Sequence, residues 1–195
     1  PHGQPPRFYS LASSANDEIV EICVRKQAGG LCSGYLHDLK PGDCIDGFIR
    51  PNPGFRPATG NRPVILVGAG AGIGPLTGFI RNNTRCNPMY LYWGGRDARS
   101  DFLYQPELGR YLEDHRLSGL NTAFSRTDER AYVQDKLKQD ELAVRQMVNT
   151  GAQILVCGGR DMAAAVRQVI EDILKPLHID IETLRGQGRY LEDVY

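Results

Sequence analysis

From Pro63 onward the chain alternates short apolar runs with longer stretches whose apolar residues recur every three or four positions. The run Val64-Ile65-Leu66-Val67 shows no polar alternation, which predicts a strand buried on both faces, as in a parallel sheet. Met89–Trp93, Asn121–Phe124 and Gln153–Val156 are expected to be its companions. Between them the spacing predicts helices. One begins near Pro75, with Leu76, Phe79 and Ile80 on one side. Two more are expected over Leu103–His115 and Asp140–Asn149. The clearest follows Gly158-Gly159-Arg160 and carries Met162, Val166, Val169, Ile170, Ile173 and Leu174 at helical intervals. Asp161 favours its start through the helix dipole, and Pro176 helps to stop it. The ending Asp193-Val194-Tyr195 alternates and closes on an aromatic, so it reads as a strand tied into the sheet rather than a frayed tail.

The first sixty residues have a different texture. Proline and glycine punctuate short runs, predicting strands over Arg7–Leu11, Glu18–Arg25 and Asp43–Arg50. In the second, Ile19, Glu21 and Cys23 would share one face and Val20, Ile22 and Val24 the other. Gly29-Gly30-Leu31-Cys32-Ser33-Gly34-Tyr35-Leu36 predicts a glycine turn feeding a short helix. The Pro-, Gly- and Asn-rich stretch from Pro51 to Gly60 predicts a loop and a boundary between residues 1–60 and 61–195. About three strands are fewer than an antiparallel sheet or barrel needs to cover its faces and edges. The first sixty residues are therefore expected to be part of a β domain, and the chain a fragment of something longer.

The glycine cluster between the first strand and its helix carries the first chemistry. Gly68-Ala69-Gly70-Ala71-Gly72-Ile73-Gly74-Pro75 would let the backbone turn sharply and approach a ligand closely. Pro75 suits the first helical position, where no backbone donor is needed. The helix start then offers free N–H groups and the positive dipole end to an anion, most simply a pyrophosphate. The strict G-x-G-x-x-G fingerprint is not met when counted from Gly68, because Ile73 stands where the last glycine should be. A tight strand-to-helix turn with no ligand is the plainer alternative.

Composition narrows the function classes. Lys plus Arg and Asp plus Glu number 23 each, so the net charge is zero, and no basic footprint suggests a nucleic acid or an anionic membrane. No apolar run is long enough to span a bilayer, and none resembles a signal-peptide core. Cys23, Cys32, Cys44, Cys86 and Cys157 are scattered, without a C-x-x-C pair or a zinc or cluster spacing. They point to a reducing, cytoplasmic compartment with most of them as small core residues. His2, His37, His115 and His178 are isolated, and no metal site is expected.

Seven motifs then fall in one order: Arg7-Phe8-Tyr9-Ser10, Gly30-Leu31-Cys32-Ser33, Gly68 to Pro75, Ser125-Arg126, Tyr132-Val133-Gln134, Cys157-Gly158, and Arg189 to Tyr195. Together they resemble the ferredoxin–NADP reductase superfamily over essentially the whole chain. They are most similar to the diflavin branch that includes the flavoprotein subunit of sulfite reductase. The reductase modules fused to PepSY-type bacterial membrane proteins are a second resemblance, and would put the chain at the cytoplasmic face of the inner membrane. The fold so implied is α/β: a Rossmann-like parallel sheet binding NADP, preceded by a partial antiparallel β-barrel binding FAD.

The resemblance implies roles residue by residue. Arg7 would neutralise the flavin pyrophosphate, a task that suits a bidentate guanidinium. Tyr9 would pack on the isoalloxazine, and Ser10 would hydrogen-bond near its N5. Gly30, Leu31, Cys32 and Ser33 would form a second flavin-phosphate turn. Gly70, Ala71, Gly72, Ile73, Gly74 and Pro75 match the nicotinamide-cofactor loop G-x-G-T-G-I-A-P. Two positions depart from it: Ala71 lacks the family's hydroxyl, and Gly74 replaces alanine and is expected to loosen the turn. Ser125, Arg126, Arg130 and Tyr132, with Gln134 beyond, would grip an adenosine 2′-phosphate and select NADPH. Asp97, following the Met89–Trp93 strand, is the counter-candidate, since an acid there would favour NADH. Cys157 and Gly158 would lie beside the nicotinamide. Asp193 would lie near the hydride path with Ser10 and Cys157. Tyr195 would cover the flavin ring and move aside for the nicotinamide.

The implied function is hydride transfer from NADPH to FAD, with electrons passed to a separate acceptor domain or protein; FMN- or haem-containing acceptors are the candidates. The chain itself would contact neither nucleic acid nor membrane, whether or not its parent is membrane-anchored. The rival from another class is a truncated NADP-binding module that holds no stable FAD and turns nothing over. A dehydrogenase of small metabolites would need a substrate domain with an acid–base His or Tyr, for which there is no room.

Overall fold

A computed structural model describes residues 6–195. His2 lies outside the described residues. Five parallel strands form one sheet: β1 (Val64–Ala69), β2 (Met89–Gly95), β3 (Gly119–Phe124), β4 (Gln153–Gly158) and β5 (Tyr190–Val194). Their order is β3-β2-β1-β4-β5. β1 and β4 lie in the middle and are almost wholly buried, as an apolar run with no polar alternation requires. The four expected strands form, each extended by two residues, and the C-terminal tail does pair as an edge strand.

Among the described residues there are seven α-helices: α1 (Leu31–Asp38), which lies before the sheet, and α2 (Ile73–Asn82), α3 (Gln105–Glu113), α4 (Val133–Gln139), α5 (Glu141–Asn149), α6 (Arg160–Leu174) and α7 (Ile181–Gly186), which connect and cover it. One core joins Leu66, Leu91, Trp93, Leu155 and Cys157 of the sheet to Ile73, Leu76 and Ile80 of α2 and Leu108 of α3. The other joins Ile65, Val67, Tyr92 and Ile154 to Leu137, Val144, Val166, Ile170 and Leu184 of α4 to α7. Alternate residues of the same strands feed the two cores, because successive side chains on a strand point to opposite faces. The sheet is therefore covered on both sides, as a doubly wound α/β fold needs. Four of the six apolar positions named for α6 are buried, and Met162 and Val169 are partly so. The short helices α4 and α7 were not expected from the sequence: each spans only about two turns, too short for periodicity to register.

Residues 6–60 depart from expectation. No strand forms over Arg7–Leu11, Glu18–Arg25 or Asp43–Arg50; a single antiparallel bridge pairs Leu11 with Ile22. The expected partial barrel is thus not formed. A strand needs a continuous partner for its N–H and C=O groups; here Leu11–Ala12 meets Glu21–Ile22 for one bridge only, and Arg7–Leu11 meets Asp43–Arg50 through the side chains of Phe8, Phe48 and Arg50. Residues 41–50 are exposed throughout. The expected short helix does form, as α1. The loop from Pro51 is anchored once to α2 and once to the sheet. Phe55 packs on Phe79 with ring centroids 5.7 Å apart, and Gln153 of β4 accepts from Ala58 N at 2.7 Å.

Candidate functional site

Between β1 and β4 the connections leave the sheet in opposite senses, so a crevice opens at the carboxyl ends of these two strands. The glycine cluster lies there. After Ala69 the chain makes a one-turn 3₁₀ helix, Gly70–Gly72, and runs straight into α2. α2 starts at Ile73, so Pro75 is its third residue rather than its first. The position remains compatible with proline, because N–H groups throughout the first turn lack intrahelical partners. Gly70 has φ +54°, with nothing within 4 Å of where a Cβ would stand. Gly72 has no such room: a Cβ would lie 2.1 Å from the Cys157 carbonyl oxygen. One glycine serves the turn, and the other lets the cradle touch the end of β4.

Gly74 corrects an expectation. It lies within α2, buried, and a Cβ there would meet Cys23 Cβ at 3.2 Å and Ala12 Cβ at 3.8 Å. A Cβ on Gly78, one turn on, would lie 3.1 Å from each of the Ala12 and Ser13 carbonyl oxygens. The glycine face of α2 is therefore a close-packing surface for residues 12–23, and the turn is not loosened by it.

The N-terminal and C-terminal ends of the chain meet beside this cradle. Ser10 Oγ donates to Asp193 Oδ2 at 2.7 Å. Asp193 is in register with Cys157 on the neighbouring strand, so their side chains share a face of the sheet. Tyr195 N donates to the Gly158 carbonyl oxygen at 3.1 Å, while 63% of the tyrosine's surface stays open. Burial first, and then the Asp193 carboxylate, pushes the Cys157 thiol far above its ordinary range. Cys157 is thus a neutral packing group at neutral pH, not a thiolate nucleophile.

A second set lies at the ends of β2 and β3. Ser125 N and Oγ donate to the Gly95 carbonyl at 3.1 and 3.4 Å, and Arg126 N donates to the Arg96 carbonyl at 2.8 Å. Arg126 is exposed. The Arg130 guanidinium donates to the Tyr132 hydroxyl and lies 5.1 Å from the centre of its ring. Tyr132 caps α4, its N–H donating to Asp135 Oδ2 at 2.8 Å, which places Gln134 half-buried in the first helical turn. Asp97 is turned into its own loop, where Arg99 holds it.

On the other flank Arg7 is exposed and Tyr9 half-buried. Burial first, then the neighbouring Cys32, raises the Tyr9 phenol. Gly30 precedes α1, and Leu31 at its start is 70% exposed. Ser33 differs from its neighbours in the turn. Its hydroxyl is buried, accepts from Gln27 N at 3.1 Å and donates to the Gly30 carbonyl at 3.4 Å, so it braces the turn from inside.

Two residues around the site escaped sequence reasoning. Trp93 Nε1 donates to the Gly70 carbonyl at 3.2 Å from a fully buried ring stacked on Phe102. Arg81, at the end of α2, binds Glu107 of α3 through Nε at 2.6 Å and Nη2 at 2.9 Å. Its Nη1 donates to Glu21 at 3.0 Å and to the Ala12 carbonyl at 2.8 Å. A solitary tryptophan ending an apolar run signalled the first; nothing local signalled the second, whose partners lie far away in sequence.

Among the described residues, no group of three or more His, Cys, Asp or Glu side chains could hold a metal ion. No described helix is long and apolar enough to cross a membrane.

Comparison with known proteins agrees with this geometry. Residues 66–168 match the oxidoreductase NAD-binding domain family. The chain is 34% identical to an NADPH–cytochrome P450 reductase of Dictyostelium discoideum, over 98% of this chain and 33% of the relative. It is 37% identical to the sulfite reductase [NADPH] flavoprotein alpha-component of Vibrio vulnificus, over 97% and 35%. It is 36% identical to a self-sufficient cytochrome P450 monooxygenase of Oidiodendron maius, over 89% and 19%. The chain spans about a third of the length of the first two relatives. A doubly wound sheet with a glycine cradle at its switch point, matched by family and relatives alike, assigns the chain to the oxidoreductase NAD-binding family, in the diflavin branch of the ferredoxin–NADP reductase superfamily.

Proposed function

We propose that this chain is the ring-facing part of an NADPH-dependent flavoprotein reductase, working in a reducing, cytoplasmic compartment. The observation that carries the reading is the 2.7 Å hydrogen bond from Ser10 to Asp193, formed beside buried Cys157 and the glycine cradle. It brings the segment expected to face a flavin to the crevice expected to hold a nicotinamide. The cradle fits a dinucleotide pyrophosphate: the backbone is open at Gly70, where the one-turn 3₁₀ helix that runs into α2 begins and its N-terminal end is presented. Ser125, Arg126, Arg130 and Tyr132 would hold an adenosine 2′-phosphate. Arg7, Tyr9 and the turn at Gly30–Ser33 fit one side of an FAD, since Arg7 and Leu31 face open surface.

When bound, NADPH supplies a hydride and FAD the ring that accepts it. The chain contributes position and exclusion of water. Asp193 accepts the Ser10 proton in a hydrogen bond and so fixes the hydroxyl's direction. Neutral Cys157 would pack behind the bound rings without adding charge. Tyr195, with 63% of its surface open, would cover a bound flavin and would have to move aside for the nicotinamide. The electrons' destination is a separate domain or protein, with FMN- or haem-containing acceptors as the candidates.

One observation favours a second reading. Residues 6–60 form no strand ladder and leave Phe8, Ile19, Val20, Phe48 and Ile49 more than half exposed. On that reading the chain binds NADP without retaining FAD. Flavin absorbance of the purified protein, and ferricyanide reduction driven by NADPH after FAD is added, separate the two. The reductase reading expects a yellow protein with turnover faster on NADPH than on NADH. A colourless protein without turnover leaves only nucleotide binding.

A further inference from the structure

The loop after β2 holds the acid that would choose the opposite cofactor. Asp97 lies two residues beyond β2, the strand after the glycine cradle, where an acid typically accepts from a ribose 2′-hydroxyl and selects NADH. Its neighbour Arg96 accepts a hydrogen bond from Arg126 N at 2.8 Å, so Asp97 borders the Ser125–Arg126 turn. A free carboxylate at that edge would repel a 2′-phosphate. In this chain it is not free. Oδ1 accepts from Arg99 N at 2.9 Å and from Arg99 Nε at 3.4 Å, and Oδ2 accepts from Nη2 at 3.3 Å. Both carboxylate oxygens are engaged by one residue, and the Asp97 carbonyl accepts from Asp101 N at 2.9 Å, which closes the loop behind them. Arg99 itself is 91% exposed, so it holds up no core.

We propose that Arg99 is a specificity-determining residue for the nucleotide: by pairing with Asp97 it masks an NADH-selecting acid and leaves the edge to Arg96, Arg126 and Arg130. This rests on the reading of Ser125, Arg126 and Arg130 as the 2′-phosphate grip. The role is indirect. Arg99 acts by cancelling a charge and occupying acceptors, and Asp97 is the group whose release is felt at the ribose.

The test measures binding of 2′,5′-ADP and of 5′-AMP to the chain by calorimetry, for the wild type, Arg99→Ala, Asp97→Asn and the double variant. The wild type prefers 2′,5′-ADP. Arg99→Ala lowers that preference about five- to tenfold, the size of one unscreened charge several ångströms away at a partly solvated edge. Asp97→Asn keeps the wild-type preference, and the double variant recovers it to within about twofold, because no acid remains to be released. An unchanged preference in Arg99→Ala overturns the inference while the grip stands. A double variant as poor as Arg99→Ala also overturns it, since Arg99 would then act by its own charge on the phosphate. A wild type with no preference overturns the grip, and the inference with it.

Discussion

Trp93 illustrates how one side chain sets the shape of a ligand cradle from behind. Its ring is fully buried between Phe102 and Phe124, and its N–H fixes the carbonyl of Gly70, the residue in the left-handed conformation. Trp93→Phe removes the hydrogen bond and leaves part of the indole's volume empty, at a combined cost of about 2 kcal/mol. Weaker binding of 2′,5′-ADP together with a lowered melting temperature is the expected result; calorimetry and thermal denaturation check it. Gly72 is less forgiving. A Cβ 2.1 Å from the Cys157 carbonyl oxygen cannot be relieved by rotating a side chain, because the obstacle is backbone. Gly72→Ala is therefore expected to shift the cradle away from β4 and abolish nucleotide binding, whereas Gly159→Ala, with open space around it, is expected to retain binding. Asp193→Asn leaves the Ser10 hydroxyl a neutral acceptor in place of a carboxylate. It is expected to slow NADPH-driven flavin reduction with little change in NADPH affinity, read as a fall in kcat at nearly constant KM.

At the scale of elements, α2 decides where Ala12, Ser13 and Cys23 sit against the sheet's helical cover. Its glycines bring residues 12–23 into backbone contact, and Arg81 at its far end ties those residues to α3. Tyr104 and Tyr111 complete the arrangement by donating to Glu21 and Glu107. Removing Arg81 would leave two carboxylates with their partner gone, and breaking a partly buried pair in this way costs about 2 kcal/mol. Arg81→Ala is expected to lower stability by about that much in urea denaturation. The network also sets an acid limit. Arg81, and to a smaller extent Tyr111, holds the Glu107 carboxyl below its ordinary value of 4.5. A depressed carboxylate contributes stability that is fully present above that ordinary value and is lost as pH falls through the lower folded one. Stability measured downward from pH 5 is thus expected to fall less steeply in Glu107→Gln than in the wild type.

β5 makes the corresponding point at the other end of the chain. A terminal strand at a sheet edge holds only if it is tied down. Here Glu192 accepts from both Arg167 and Arg185 at 2.9 Å, and that anchorage keeps Asp193 opposite Cys157.

The molecule as a whole joins a well-buried sheet to a lightly packed N-terminal segment. β1 and β4 lie at the centre with partners on both sides, so their amides are expected to exchange at the rate of global unfolding. Residues 41–50 are exposed and are expected to exchange within seconds. If Arg7–Ser10 and Gly30–Ser33 hold a flavin, adding FAD should slow exchange there, and hydrogen–deuterium exchange followed by mass spectrometry reads it directly. Unchanged exchange in both segments, at saturating FAD, would favour the nucleotide-binding reading.

Sequence by itself determined the parallel sheet, because an apolar run with no polar alternation can be buried only on both faces, and Val64–Val67 and, after Gln153, Ile154–Val156 are such runs. It also determined the glycine cradle, since so many residues without a Cβ in one turn have few other uses. It overstated the strands before residue 60, because alternation marks a chain that could pair and says nothing of whether a partner lies alongside. The meeting of Ser10 with Asp193, of Arg81 with Glu21 and Glu107, and of Trp93 with Gly70 was decided only by the tertiary structure. Those contacts join residues 23 to 183 positions apart, and no local pattern records a distance that only folding closes.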